Sequence, residues 1–355
     1  MLKAPTGATA QLLTMNGGTF QGNGGQSLLN LPNASNTITA GTFDNVILSV
    51  GTLNGLSGSS LTIDGNMTLK NGATISVIAP AQGGNPNTLN WQSGSIATPA
   101  TATGVSSSSI TNSGTLYINS NGTLGDAASL TQIRLTNAGT LNVYSTPIIS
   151  GSFTNAGTLS LRSASNLQVQ GAASQSAGTT SLQGGTLTNS VYNVNGGSLV
   201  GNGTIAANLV LGGNGNNPPV TLSPGIFGTS IGTITVTNSM AIYTTNAVTN
   251  IEVTSTGAND QIVVQGQGGG GWAILNGTLN VTFDSPQYSP ADNTTLVFIT
   301  ASTFIDPNTN KNTDFSSPKN FGQGWQNPGN VHYTSWKAVQ NPGSYALVAT
   351  PPPPK

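Results

Sequence analysis

Short runs of alternating apolar and polar residues recur along the chain: Leu61-Thr62-Ile63, Met67-Thr68-Leu69, Ile75-Ser76-Val77-Ile78, and later Thr233-Ile234-Thr235-Val236. A period of two sends one residue set inward and the other outward from a strand. No window carries a helical period with caps, so the pattern predicts an all-β chain. Gly58, Asp64-Gly65 and Asn71-Gly72 separate the runs, and Gly and Asx-Gly supply the positive φ that tight corners need.

One phrase keeps returning. It reads Thr111-Asn112-Ser113-Gly114-Thr115-Leu116, then Thr136-Asn137-Ala138-Gly139-Thr140-Leu141, then Thr154-Asn155-Ala156-Gly157-Thr158-Leu159, in copies roughly 18–25 residues apart. That spacing suits one turn of a β-coil. Each copy reads as a corner plus a strand. Leu116, Leu141 and Leu159 fill the interior, Gly114, Gly139 and Gly157 let the backbone turn, and Asn112, Asn137 and Asn155 are placed to stack into hydrogen-bonded ladders along the axis. The expected fold is a single-chain β-solenoid with a C-terminal β cap.

Boundaries follow where the rhythm changes. Residues 1–16 show little periodicity and read as an N-terminal segment available to an adjoining subunit. Residues 17–282 read as the solenoid, broken near 79–109 by an excursion whose Trp91 packs over the wall. Residues 283–350 gather aromatics such as Phe298, Phe304, Phe315 and Tyr345 and read as a β-rich cap, and 351–355 form a polyproline tail.

Composition narrows the function classes. Only 5% of the 355 residues are charged, against about 25% in ordinary domains, and none lies between Arg162 and Glu252. Without a basic cluster, nucleic acid is not an expected partner. The apolar runs are strand-sized, well short of the roughly 20 residues of a membrane-spanning helix. Zero cysteines exclude disulfides and thiolate chemistry. Met1-Leu2-Lys3-Ala4-Pro5 does not read as a signal peptide. A neutral, Asn/Thr/Gly-rich β chain of this kind is expected at a bacterial surface or outside the cell.

From Leu222 a further succession appears: Leu222-Ser223-Pro224-Gly225, Gly232-Thr233-Ile234-Thr235-Val236, Asn259-Asp260-Gln261-Ile262-Val263-Val264, and Leu275-Asn276-Gly277-Thr278-Leu279-Asn280-Val281. It resembles the passenger-domain repeats of bacterial autotransporters and autotransporter-associated β-strand proteins, well over residues 185–300 and loosely over 40–185. The resemblance implies a right-handed parallel β-helix and says more about fold than about activity. The chain departs from the family pattern in lacking the strands of a C-terminal translocator barrel.

Groups that could carry chemistry are sparse. His332, the sole histidine, has no carboxylate at an orienting spacing. Asp284/Asp292 and Asp306/Asp314 lie in Pro/Asn-rich stretches and read as turn formers rather than a glycosidase pair. Asp44, Asp64 and Asp126 are scattered, and Asp260 reads as structural. Gly212-Gly213-Asn214-Gly215-Asn216-Asn217 lacks the carboxylate of a repeat-type calcium site. No catalytic residue, cofactor or metal is therefore assigned. The first expectation is an extracellular structural protein, a self-assembling subunit of a filament, sheath or matrix whose partner is itself. The alternatives are an autotransporter-type adhesin holding a carbohydrate or cell surface and, third, a polysaccharide-active enzyme. Ice binding would need a regular outward Thr-x-Thr array, which Thr37-Ile38-Thr39 and Thr233-Ile234-Thr235 do not evidently form.

Overall fold

The computed structural model describes residues 2–4, 8–9, 13–22, 27–32, 36–51, 58–71, 73–80, 82, 84–98, 108–126, 133–213, 218–225, 230–254, 256–266, 271–283, 293–306, 311–315, 317–321 and 335–350. Among them the fold is all-β, a solenoid of parallel strands with no helix. Two compact units share it. The first holds residues 1–174, 178–180 and 185–189, and the second holds 175–177, 181–184 and 190–355.

In the first unit the chain builds three stacks. One runs through Asn36–Asp44, Ser60–Lys70, Thr88–Ser93, Thr115–Ile118, Thr140–Val143 and Thr158–Arg162, every neighbour parallel. A second runs through Ile96–Ala97, Thr123–Leu124, Ile148–Ile149 and Asn166–Val169. The third runs through Ser27–Leu31, Val46–Val50, Thr74–Val77, Ser109–Asn112, Arg134–Asn137 and Phe153–Asn155.

Parallel in-register pairing places like residues on like, so the alternation read along the chain becomes columns across it. Leu61, Leu89, Leu116, Leu141 and Leu159 form one buried inward column, and Leu29, Leu48, Ile75, Ile110, Leu135 and Phe153 another. Each such Leu removed from water contributes about 1.5–3 kcal/mol.

Two expected boundaries are corrected. Residues 88–97 do not leave the coil. Trp91 is inside it, in the column Ile63–Trp91–Ile118, and its Nε1 donates to the Gly94 carbonyl at 3.0 Å. Leu89-Asn90-Trp91-Gln92 does alternate, but the neighbouring Pro86 and Pro99 hide a rung this short. Within 1–16, Leu2–Ala4 and Ala8–Thr9 pair in parallel with Thr14–Gly22 and Ser27–Leu31 of the same chain, so these residues already belong to the coil. The 351–355 tail lies outside the described residues.

In the second unit the long strand Gly197–Leu211 bends to pair in turn with Val220–Pro224, Thr233–Val236 and Met240–Ile242. Parallel pairing continues through Ala247–Val253 to Thr278–Phe283 and through Gln261–Val264 to Thr295–Thr300. Direction then reverses. Ser344–Thr350 lies antiparallel against Thr295–Thr300, and Ser335–Asn341 antiparallel against Ser344–Thr350. The hairpin occupies backbone groups that another parallel rung would otherwise take.

In the second unit one of the inward columns holds a hydroxyl. Thr249 lies in the column Leu199–Leu222–Thr249–Leu279, 1% exposed, and its Oγ1 has no hydrogen-bond partner among the described residues. Thr249→Val keeps the β-branched shape and removes an unsatisfied buried hydroxyl, so it is expected to raise stability by about 1 kcal/mol. A lowered melting temperature for this variant would count against the assignment.

Candidate functional site

The recurring phrase folds into a corner whose parts have separate tasks. The third-stack column Leu31–Val50–Val77 is apolar, and then the same inward positions become Asn112, Asn137 and Asn155. All three asparagines are 0% exposed. Asn112 Nδ2 donates to Asn137 Oδ1 at 2.7 Å, and Asn137 Nδ2 to Asn155 Oδ1 at 2.7 Å. Each amide also reaches the backbone one rung on, Asn112 to the Thr140 carbonyl at 2.9 Å and Asn137 to the Thr158 carbonyl at 3.1 Å. The ladder pairs on both sides the Asn137 amide, which would be costly if buried alone, while at its first rung Asn112 Oδ1 has no partner among the described residues.

Gly114, Gly139 and Gly157 are glycine for a reason other than a turn. None has a positive φ in the left-handed region, but a Cβ on Gly139 would run into the Gly114 carbonyl oxygen and one on Gly157 into the Gly139 carbonyl oxygen. Those oxygens accept the Thr140 and Thr158 N–H groups at 2.8 Å. The rungs touch backbone to backbone at this corner. Leu116, Leu141 and Leu159 then point inward, 2%, 0% and 0% exposed.

Just beyond the corner, three successive rungs carry a cluster on the outer wall. Tyr117 is in register with Asn142, which is in register with Ser160. The Tyr117 and Tyr144 rings lie 6.4 Å apart at 33°, the Arg162 guanidinium sits 5.5 Å from the Tyr144 ring centre, and Arg162 Nη2 donates to Asn142 Oδ1 at 3.4 Å. The sequence does not announce this group, because its first and last members lie 45 positions apart (117 and 162).

In the second unit the carboxylate of Asp260 is 0% exposed and accepts the Gly232 N–H at 2.8 Å and the Glu252 N–H at 3.0 Å. It thereby ties the segment after Leu222-Ser223-Pro224-Gly225 to the next rung. Burial raises its pKa from 3.8 to about 6; the two N–H donors oppose the rise and the Glu252 charge adds to it. A raised carboxyl means that the folded state holds more protons than the unfolded one between about pH 4 and 6. Stability of this unit is therefore expected to fall as pH rises through that window, by on the order of 2–3 kcal/mol, and to level off above it. Asp260→Asn should flatten this part of the pH dependence, and an unchanged slope would refute the assignment.

At the cap, Tyr345 is 1% exposed and ringed by Phe298, Phe304 and Phe315, with centroids at 5.5, 6.3 and 5.4 Å. Its hydroxyl donates to Asp314 Oδ1 at 2.5 Å, and burial with this bond pushes its pKa up. The exposed Asp314 is thus a partner in a structural cluster. Asp306 lies in the short strand Ile305–Asp306. His332, Asp284, Asp292 and residues 214–217 lie outside the described residues. Asp44 accepts from Asn71 Nδ2 at 2.5 Å and Asp64 from Ser93 Oγ at 2.8 Å, in different rungs. Among the described residues no group of three or more His, Cys, Asp or Glu could hold a metal ion, and no helix is long and apolar enough to cross a membrane.

No family model matches the chain, and neither does any curated protein.

Proposed function

We propose that this protein is an extracellular structural β-solenoid that assembles with its own copies through its walls. The observation that carries the reading is the outward column of the third stack: Asn30, Ser76, Thr111, Thr136 and Thr154, stacked in register without a charge of its own, with Ser49 recessed at 3% exposure and Arg134 standing in the column beside it. Short neutral residues at about 4.8 Å intervals leave a flat surface. Soluble β proteins normally mark such surfaces with Lys, Glu or a bulge to keep copies apart. The interior is filled by apolar columns and the Asn ladder, and the carboxylates of Asp44, Asp64, Asp260 and Asp314 serve as hydrogen-bond partners. The low charge of the whole chain and the autotransporter-like repeats add support for a place outside the cell.

Negative-stain microscopy and sedimentation over a concentration series test this. The purified protein is expected to form ordered assemblies that Thr111→Lys combined with Thr154→Lys disperses. Both positions face outward, so melting should shift by no more than about 0.5 kcal/mol in stability. Wild-type protein that stays monomeric at every concentration would refute self-assembly.

A further inference from the structure

We propose that the outer wall of the first unit carries a polysaccharide-binding platform built from Tyr117, Tyr144, Arg162 and Asn142. This goes beyond self-assembly, since its ligand is a chain of pyranose rings rather than another copy of the protein.

Tyr144 and Tyr243 are the two large apolar side chains that stand well out of the surface among the described residues, at 47% and 48%. Their settings differ. Tyr144 has Tyr117 beside it at 6.4 Å and the Arg162 guanidinium at 5.5 Å from its ring centre. The guanidinium is in turn held to Asn142, which is only 7% exposed. The group is therefore fixed from the wall outward, and ordering it on binding costs little.

A pyranose has an apolar C–H face and a rim of hydroxyls. Tyr rings offer a broad contact for the face together with a hydroxyl at the edge. The planar donors of Arg162, backed by the buried Asn142, suit paired hydroxyls or a carboxylate on the rim. The neighbouring outward column is Thr88, Thr115, Thr140 and Thr158, in register along the same wall. It extends hydroxyls beside the platform across several rungs, as a chain of sugars requires and a single small ligand does not. The outward positions at the platform, Thr115/Tyr117, Thr140/Asn142 and Thr158/Ser160, bear no charge, and Arg162 adds a positive one. The wall therefore fits a neutral or uronate-bearing polysaccharide and disfavours a basic partner.

Pull-down of the full chain on cellulose, chitin and polygalacturonate, followed by titration with soluble fragments, tests the proposal. Wild-type protein is expected to bind at least one, with polygalacturonate marking a contribution from the Arg162 charge. Tyr144→Ala and Tyr117→Ala should each weaken binding at least about tenfold, while Tyr243→Ala leaves it unchanged. Circular dichroism should show all three variants folded, and their sedimentation should match the wild type. Three outcomes would overturn the proposal: no binding by the wild type, equal weakening by Tyr243→Ala, or loss of assembly without loss of polysaccharide binding in Tyr144→Ala. The last would assign this wall to a second copy and leave the self-assembly reading standing; the first leaves that reading untouched.

Discussion

Gly139→Ala is expected to destabilise the protein by more than about 3 kcal/mol, although Gly to Ala in a strand usually helps. The added Cβ would meet the Gly114 carbonyl oxygen, with the Ser113 carbonyl carbon at 2.7 Å and the Gly114 nitrogen at 2.9 Å. All three are backbone atoms of the adjoining rung, fixed by the Thr140 N–H bond to the same oxygen at 2.8 Å. No side chain can rotate away, so the rungs must separate and lose the pairing. Gly213→Ala is the matched control. Among the described residues its Cβ would find Asn195 Oδ1 at 3.5 Å and Val210 Cγ1 at 3.8 Å, and its φ lies outside the left-handed region. That substitution should be neutral or stabilising by up to about 1 kcal/mol through the unfolded chain. Urea denaturation of both variants beside the wild type decides the matter, and equal midpoints for the two would refute the close-contact account.

Asn137→Ala is the second large effect, expected at about 3 kcal/mol. Asn137 sits in the middle of the ladder, accepting from Asn112 and donating to Asn155 and to the Thr158 carbonyl. Truncation breaks all three bonds and leaves a void among groups that water cannot reach, and each stranded buried group costs about 1–3 kcal/mol. The ladder also predicts non-additivity. Replacing Asn112, Asn137 and Asn155 together by valine continues the apolar column of Val50 and Val77 above them. The triple variant should cost clearly less than the sum of the three single substitutions, because no amide is left facing a missing partner. A strictly additive set of melting shifts would show that the three side chains act independently.

Much of the first unit's coil was legible in the chain. The recurring phrase marks Leu116, Leu141 and Leu159 as inward and Asn112, Asn137 and Asn155 as stacked, since a residue type repeated at one place in a recurring phrase must occupy one place in a coil. The phrase also marks where glycine is needed but suggests a turn at Gly139, where close approach of the adjoining rung is the cause. The inward place of Trp91 is hidden in the sequence because a single rung of Leu-Asn-Trp-Gln carries too few residues to outweigh the prolines around it. The wall cluster was not legible at all. Tyr117, Asn142, Tyr144 and Arg162 become neighbours only when corners of unequal length bring three strands into register. The tie from Asp260 to Gly232 depends likewise on a contact 28 residues away.

The sequence by itself determined the class of fold and the composition of its columns, because alternation and repetition are local and each strand declares which side faces in. Tertiary structure decided which columns adjoin, since register between rungs depends on how many residues each corner consumes before the chain returns. That register turns Gly139 from a flexible residue into a contact surface. It also sets two tyrosines and an arginine side by side on rungs whose neighbouring outward positions are hydroxyl and amide.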